Sequence, residues 1–311
     1  RTAITSLYAQ DRWQFHADAS LTLGWRAERW TTTEGRQLGG GSSVLYPKRS
    51  LQGQSPKAVL RWNLDDSWQT RVSLGRGVRF PNVEELYNGT VTATSQTLAD
   101  PNLRAERSDA VEWAFEGQWD ERRLRLALFS DDVRDAILRQ STQDPSVCKT
   151  SANGASSYTC VQNVDRVRTE GIELAGGWQP LPGLSLDASF NYTLRSKVTA
   201  NRNDPAMVGQ WWLRVPRTRA SVQASYRLGD STLAASWRHQ GRAYNDPYNQ
   251  DVNPNVYGGV SSLNQLDLRA THKLSGHLTG ALGINNVTDR AAYQAHPYPG
   301  RTLFAELRFT L

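Results

Sequence analysis

The chain contains no long run of apolar residues, although it is 311 residues long. No segment approaches the roughly 18–20 consecutive apolar residues that a membrane-spanning helix needs, so helical spans are excluded. The mean hydropathy of −0.59 is a value typical of soluble proteins. A search for apolar runs does not detect the strands of a membrane barrel, because only every second residue faces lipid. Hydropathy therefore excludes one class of membrane protein and leaves the other open.

The sequence also lacks the motifs on which most catalytic and metal sites depend. Its five His residues show no HExxH or other ligand spacing, and no Gly-x-Ser-x-Gly occurs. The net charge is +6 and the pI about 9.4, but the basic residues are scattered singly. Scattered charge gives little support to nucleic-acid binding. We therefore predict that the chain is not an enzyme, binds no nucleic acid and holds no metal or cofactor.

Cysteine is scarce, and its two copies lie in the same long polar segment. Cys148 and Cys160 are twelve residues apart, a spacing that suits a disulfide clamp in an exported loop. A metal site would need two further ligands, and no His lies nearby. We predict a Cys148–Cys160 disulfide.

Alternation of apolar and polar residues with a period of two recurs from end to end. Apolar residues alternate with Ser, Asp, Asn and Thr in residues 184–193, and the pattern returns in residues 302–311. No window keeps a period of 3.6 long enough to compete, so the pattern predicts an all-β chain. Several charged residues fall on the polar side and are expected to face inward: Arg61, Arg71, Glu112, Glu116, Asp187, Arg227, Arg269 and Glu306.

Short turns and long polar segments alternate strictly along the chain. The short turns lie near residues 16–18, 65–66, 120–122, 180–183, 229–230 and 275–276, and the long segments near residues 32–54, 77–107, 139–161, 196–216, 242–263 and 288–300. This order is typical of an antiparallel, up-and-down transmembrane β-barrel with short periplasmic turns and long extracellular loops. Six hairpins and a closing strand give about thirteen strands. Because bacterial barrels normally have an even number, we predict that residues 1–311 are part of a larger barrel.

Four segments carry a resemblance to a known family. An aromatic–Pro pair (Phe80, Pro81) precedes an acidic–Leu–Tyr cluster. A second pattern leads from the following loop back into the strand that contains Glu112. Later segments carry Asn163 before a Gly-x-Glu strand, and an Asn-Val-Thr-Asp turn before the final strand. In this order and spacing they resemble the C-terminal half of TonB-dependent outer-membrane receptors of the siderophore type. The segments are Gly75–Tyr87, Asn102–Ser108, Asn163–Leu174 and Gly283–Arg301.

The sequence departs from this family at two positions. Ala105 stands where the family usually has Pro, and Leu311 ends the chain where the family prefers an aromatic residue. The resemblance implies a 22-stranded barrel, of which this chain would be the C-terminal part, with a plug domain and the first strands absent from it. It further implies a monomer in the bacterial outer membrane that imports a ferric siderophore with energy from the inner-membrane TonB complex.

Aromatic and Arg side chains of the long segments are the candidate ligand-binding residues. Aromatic rings stack on flat or apolar parts of a ligand, and the Arg fork donates to anionic oxygens. A ferric chelate commonly presents both features. An aromatic girdle that anchors strand ends at the membrane interface would use the same residue types. The candidates are Arg79, Tyr87, Trp211, Trp212, Arg214, Tyr244, Tyr248 and Tyr257.

Several alternatives stay open at this point. A receptor of the same type could carry cobalamin or an oligosaccharide, because loop residues set that choice. A passive porin would share the strands and loops but lack the plug. A soluble adhesin or lectin built from β-sandwiches would also alternate, although its apolar faces would meet across a core. The Asp and Asn residues of 246–255 could bind calcium or belong to an ordinary solvated loop.

Overall fold

Antiparallel strands make up most of the chain, as the period of two predicts. The computed structural model describes residues 1–39, 42–150 and 154–311. The strands are β1 Thr2–His16, β2 Ala19–Thr32, β3 Gly35–Gly39, β4 Ser42–Tyr46, β5 Arg49–Asn63, β6 Trp68–Arg79, β7 Thr90–Val91, β8 Ser95–Leu98, β9 Glu106–Trp119, β10 Arg122–Thr142, β11 Ser157–Leu181, β12 Leu184–Ala200, β13 Thr218–Leu228, β14 Ser231–Gln240, β15 Leu263–Lys273, β16 Leu278–Asn285, β17 Tyr293–Gln294, β18 His296–Pro297 and β19 Thr302–Phe309.

Short helical segments occur only in the connections of the described chain. Helix α1 spans Val83–Tyr87, and 3-10 turns span Pro145–Cys148 and Pro205–Met207. Within the described ranges, no helix is long and apolar enough to cross a membrane, a result that does not bear on crossing by strands.

Thirteen of the strands form one antiparallel meander, which confirms the predicted number. Their order is β1-β2-β5-β6-β9-β10-β11-β12-β13-β14-β15-β16-β19. Each of the six predicted short turns joins two neighbouring strands of this path, and each of the six long segments joins the next pair. Strand β8 adds to β11 in parallel, while β3–β4 and β17–β18 are small hairpins within long connections. We call the edge of the sheet that carries the long connections the loop end and the opposite edge the turn end.

One face of the meander is a continuous apolar surface. Leu126 pairs with Phe115 on one side and Leu174 on the other, and Leu174 pairs in turn with Phe190. The Leu126, Leu174 and Phe190 side chains are 41%, 43% and 44% exposed. In a β-sandwich such rows would be buried against a second sheet. The exposed row excludes the sandwich alternative and forms a belt of the kind that faces lipid.

The opposite face is polar, as predicted. The registers place all eight of the predicted inward charges on this face, opposite to the apolar row. Side chains of strands β5, β6 and β9–β13 line a single cavity of about 970 Å³ there. Because seven strands contribute to one cavity, the polar face is concave.

Buried residues are concentrated at the loop end, where the long strands β10 and β11 carry the connections. One buried cluster is centred on Val164, Val198 and Met207, and a second on Leu86 and Leu103 of the β6–β9 connection. A third surrounds the two cysteines. Packing within the connections therefore holds the loop end in a defined shape.

Candidate ligand-binding surface at the loop end

Two long connections at the loop end are held together by side-chain hydrogen bonds. The Asn249 side chain accepts from the Trp211 backbone N–H at 2.6 Å and donates to the Trp211 carbonyl oxygen at 3.0 Å. Arg214 Nε donates to Asn245 Oδ1 at 2.8 Å. We call these two connections the loop cluster. They are the β12–β13 connection, residues 201–217, and the β14–β15 connection, residues 241–262.

Tyr248 ties the two connections to each other and to the strands. Its hydroxyl donates to Asp204 Oδ2 at 2.6 Å and accepts from Gln140 Nε2 of β10 at 3.0 Å. Its ring packs against the buried cluster that contains Met207. Burial, followed by the hydrogen bond to the Asp204 carboxylate, raises the pKa of Tyr248 to about 12. The phenol is therefore a neutral donor over the whole physiological range of pH.

We expect the phenol of Tyr248 to ionise near pH 12 in the folded protein. Because this pKa lies above the ordinary value of 10.0, stabilisation by the neutral phenol is complete below about pH 10 and is lost as the pH rises through about 12. Asp204→Asn removes the anionic acceptor and should lower the Tyr248 pKa. An ultraviolet titration, taken as the difference between wild type and Tyr248→Phe, measures it. A difference spectrum that titrates at the ordinary tyrosine value would contradict this assignment.

The two predicted tryptophans support the shape of the loop cluster. Trp211 is buried, and its Nε1 donates to the Val215 carbonyl oxygen at 2.6 Å. The Arg217 guanidinium lies 4.2 Å from the Trp211 ring centroid, a cation–π contact. Trp212 is half-buried and packs against the Met207 cluster. Trp211 therefore fixes the backbone next to Arg214, while Trp212 keeps part of its ring at the surface.

Three of the predicted residues present side chains to solvent within the loop cluster. Arg214 is exposed, and its φ of 59° lies in the left-handed region, which directs its backbone N–H to the Tyr244 carbonyl oxygen at 2.8 Å. The Arg242 guanidinium lies 4.9 Å from the ring centroid of half-buried Tyr244. Tyr257 is 72% exposed and meets His296 edge-on at 4.9 Å. Guanidinium groups and aromatic rings thus occur together in the loop cluster.

Arg79 and Tyr87 belong to a different part of the loop end, around α1. Arg79 forms ion pairs with Glu85 at 3.0 Å and with Glu106 at 3.4 Å. Tyr87 is buried, with its ring centroid 4.8 Å from that of Tyr46. The structure therefore does not place these two residues among the contacts of the loop cluster.

Sequence reasoning missed three side chains that complete the surface: Arg217, Arg242 and His296. Arg242 stands two residues before Tyr244 in the same polar segment, so a search for Arg near aromatic residues would have found it. His296 lies in the β16–β19 connection and reaches Tyr257 only through the fold. No local signal marks such a contact.

The predicted disulfide between Cys148 and Cys160 is confirmed. It joins the β10–β11 connection to β11, and both cysteines are buried beside Tyr158. The disulfide therefore fixes this connection at the loop end, outside the loop cluster.

The acidic and amide residues of 246–255 serve the turns of their own loop. Asp246 Oδ2 accepts from the backbone N–H groups of Tyr248 and Gln250 at 3.1 and 2.8 Å. Asp251 Oδ2 accepts from the Asn245 N–H at 2.8 Å. Across the described ranges, no group of three or more His, Cys, Asp or Glu side chains is arranged to hold a metal ion. These contacts match the solvated-loop interpretation.

A network of charged side chains occupies the polar face between the two ends. Arg125 forms ion pairs with Glu112 at 2.8 Å, Glu116 at 3.2 Å and Glu173 at 3.3 Å. Arg71 adds contacts to Glu112 at 2.9 Å and Glu116 at 3.6 Å. Two guanidinium groups thus hold three carboxylates together in a half-buried network, and both cations are needed to compensate the negative charges.

Comparison with known proteins identifies the family. A family model described as "TonB dependent receptor-like, beta-barrel" matches residues 1–287. This chain belongs to the TonB-dependent receptor family. The strands observed here accordingly belong to an outer-membrane β-barrel.

Individual relatives are distant. The receptor is 23% identical over 219 residues to the "Iron-regulated outer membrane virulence protein" of Vibrio cholerae serotype O1, covering 69% of this chain and 33% of the relative. The solved "Copper transporter OprC" has a TM-score of 0.77 at 18% identity, covering 99% of this chain and 48% of the other. The solved "siderophore receptor PiuA from Acinetobacter baumannii" has a TM-score of 0.76 at 17% identity, covering 99% of this chain and 43% of the other. The receptor spans about a third of the curated relative, and the structural likenesses support the fold alone.

Proposed function

We propose that this receptor binds an anionic iron chelate, a ferric siderophore, at the extracellular loop cluster and imports it with energy from the TonB complex. The observation that carries the proposal is one surface that combines the guanidinium groups of Arg214 and Arg242 with the aromatic rings of Tyr244 and Tyr257. Catecholate- or hydroxamate-type chelates present anionic oxygens and flat or apolar groups, which such a surface can contact together. The name of the Acinetobacter protein, a siderophore receptor, agrees with this cargo class.

The internal hydrogen bonds of the loop cluster support binding because they form without the ligand. Tyr248, Trp211 and Asn249 are already engaged in hydrogen bonds that hold the two connections together. A ligand would therefore meet Arg214 and Arg242 on a preorganised surface, which lowers the entropy lost on binding. The wider assignment, with residues 1–311 as the C-terminal part of a 22-stranded barrel around a plug, stays a prediction from the family resemblance.

The double substitution Arg214→Ala with Arg242→Ala tests the binding surface in the intact receptor. Each lost charge-assisted hydrogen bond contributes about 1.5–3 kcal/mol, so we expect at least about tenfold weaker binding of the preferred ferric siderophore. Quenching of tryptophan fluorescence in detergent measures the affinity across chelate classes. Arg122→Ala with Arg227→Ala, two cations at the turn end, is the matched control and should bind as the wild type does.

Two results would contradict the proposal at different levels. Unchanged affinity in the loop-cluster variant would contradict the assignment of the binding surface but not the proposed class of cargo. Binding of cobalamin or an oligosaccharide, with no response to any ferric chelate, would remove the iron assignment. Uptake that persists in cells without the TonB complex would favour a passive porin.

A further inference from the structure

The outward side of the sheet carries a band of charged residues directly above the apolar belt. On β6 and β9–β12, charged residues follow the apolar residues of the belt toward the loop end. On β6, β9, β10 and β11, these charged residues lie on the same face of the sheet as the belt. A bulge in β12 leaves Arg195 opposite Glu170, so β12 rejoins the same face. The first row above the belt is Arg76, Asp109, Asp132, Arg168 and Lys197, and the second is Arg107, Arg134 and Arg166. We call these rows, with Glu170 and Arg195, the basic rim.

Each carboxylate of the basic rim already has a guanidinium partner. Arg76 holds Asp109 through two hydrogen bonds of 2.6 and 3.1 Å. Arg166 forms a bidentate pair with Asp132. Arg168 lies 2.7 Å from Glu170. These three pairs balance the three carboxylates, so the remaining cations of the basic rim are in excess.

Four cations of the basic rim are surplus to these pairs: Arg107, Arg134, Arg195 and Lys197. The three arginines are exposed, and Lys197 is half-buried. Arg107 pairs directly with Arg134, and Arg134 with Arg166, so three guanidinium groups follow one another across β9, β10 and β11. Like charges at directly opposed positions are destabilising, at a Cβ spacing of about 4.5–5.5 Å. An anion seated between them would relieve this repulsion.

The height of the basic rim indicates where that anion comes from. Val111 ends the belt on β9, and Asp109 and Arg107 follow two and four residues further toward the loop end. At about 3.4 Å per residue along a tilted strand, the two rows lie within roughly 5–13 Å of the belt. A bilayer with a core of about 30 Å is about 40–45 Å thick in total, so each polar headgroup layer is about 5–7 Å deep. The first row therefore lies at the level of the headgroups, and the second row lies directly above it.

We propose that the basic rim is a binding site for the phosphate groups of an outer-leaflet lipid. Two phosphates on one headgroup suit this arrangement, with Arg107 and Arg134 of the second row contacting one, and Lys197 of the first row together with Arg195 of the same strand contacting the other. Arg suits this role because its fork donates in parallel to two phosphate oxygens. The acyl chains of the same lipid lie along the exposed belt below, so headgroup and belt bind one molecule together. The site faces away from the cavity and is independent of the imported cargo.

Native mass spectrometry of the intact receptor in detergent tests this site, with diphosphorylated lipid A as the probe. We expect wild type to bind the diphosphorylated form more tightly than the monophosphorylated form. The triple substitution Arg107→Gln, Arg134→Gln and Arg195→Gln should weaken binding of the diphosphorylated form at least about tenfold, since it removes three cations that attract the charged headgroup. The single Arg134→Gln, at the centre of the arginine row, should show a smaller loss in the same direction.

The matched control removes three unpaired cations from the inner face: Arg12→Gln, Arg61→Gln and Arg227→Gln. It has the same net charge as the rim variant and should bind lipid A as wild type does. Inorganic phosphate is the second arm, and in large excess it should displace little lipid. Equal weakening in both triple variants, or full displacement by inorganic phosphate, would overturn the proposal, as would unchanged binding in the rim variant.

Discussion

Replacing Val222 with Arg should destabilise the folded receptor by about 2–4 kcal/mol, the cost of a cation on the lipid face near the middle of the bilayer. Val222 lies at the centre of β13, is 43% exposed, and pairs with Ala188 and Trp237 of the belt. A charged group there has neither water nor an ion-pair partner. The free energy of unfolding of the intact receptor, from urea titration in lipid vesicles, measures the effect.

The neighbouring residue provides the matched control. Gln223 lies on the same strand but lines the polar cavity opposite Asp187 and Ser236. Gln223→Arg introduces the same group into water next to a carboxylate, so we expect little change in stability. Equal destabilisation by the two substitutions would mean that the two faces do not differ in environment, and the membrane assignment of the belt would fail.

The second large effect is expected at Arg125. Arg125→Ala leaves Glu112, Glu116 and Glu173 together with Arg71 as their remaining cation. Breaking a fully buried pair costs about 3–5 kcal/mol and an exposed one about 0–1, so this half-buried network should lose about 2–3 kcal/mol. The same urea titration measures it. Arg125→Lys keeps the charge without the fork, and should recover only part of the loss.

A double substitution separates repulsion from lost packing. Adding Glu116→Gln to Arg125→Ala removes one of the three carboxylates that are left with Arg71 alone and should restore part of the stability. Arg227→Ala, which removes an inward Arg without an ion pair, should cost much less. If the double variant is as unstable as Arg125→Ala alone, the loss comes from the alkyl chain of Arg125 and not from its charge.

The sequence predicted the meander well because each part of that prediction depends on neighbouring residues. The alternation of residues 184–193 identifies β12 directly, and turns such as Gly229–Asp230 stand between two alternating strands. Strand number, connection lengths and the two faces then follow. The capping box of α1 is likewise local, since it is formed by Asn82 and Glu85, three positions apart.

The loop cluster could be predicted only as a set of residue types. Its organisation depends on contacts between residues that are distant in sequence, such as Asn249 with Trp211, which are 38 positions apart, and Tyr248 with Asp204, which are 44 apart. No periodicity encodes such pairs. The same Tyr and Trp residues that suggested ligand binding therefore divide, in the structure, into internal supports such as Trp211 and exposed groups such as Tyr257.

The Asn249 bridge has a consequence for engineering cargo choice. Because one amide side chain satisfies both polar backbone groups of Trp211, residues 201–217 and 241–262 behave as a single exchangeable cassette. A graft of either segment alone from another importer would leave an amide and a carbonyl unsatisfied at the junction. A chimera that exchanges both segments together, with Tyr248 and Asp204 included, keeps the hydrogen bonds between the two segments.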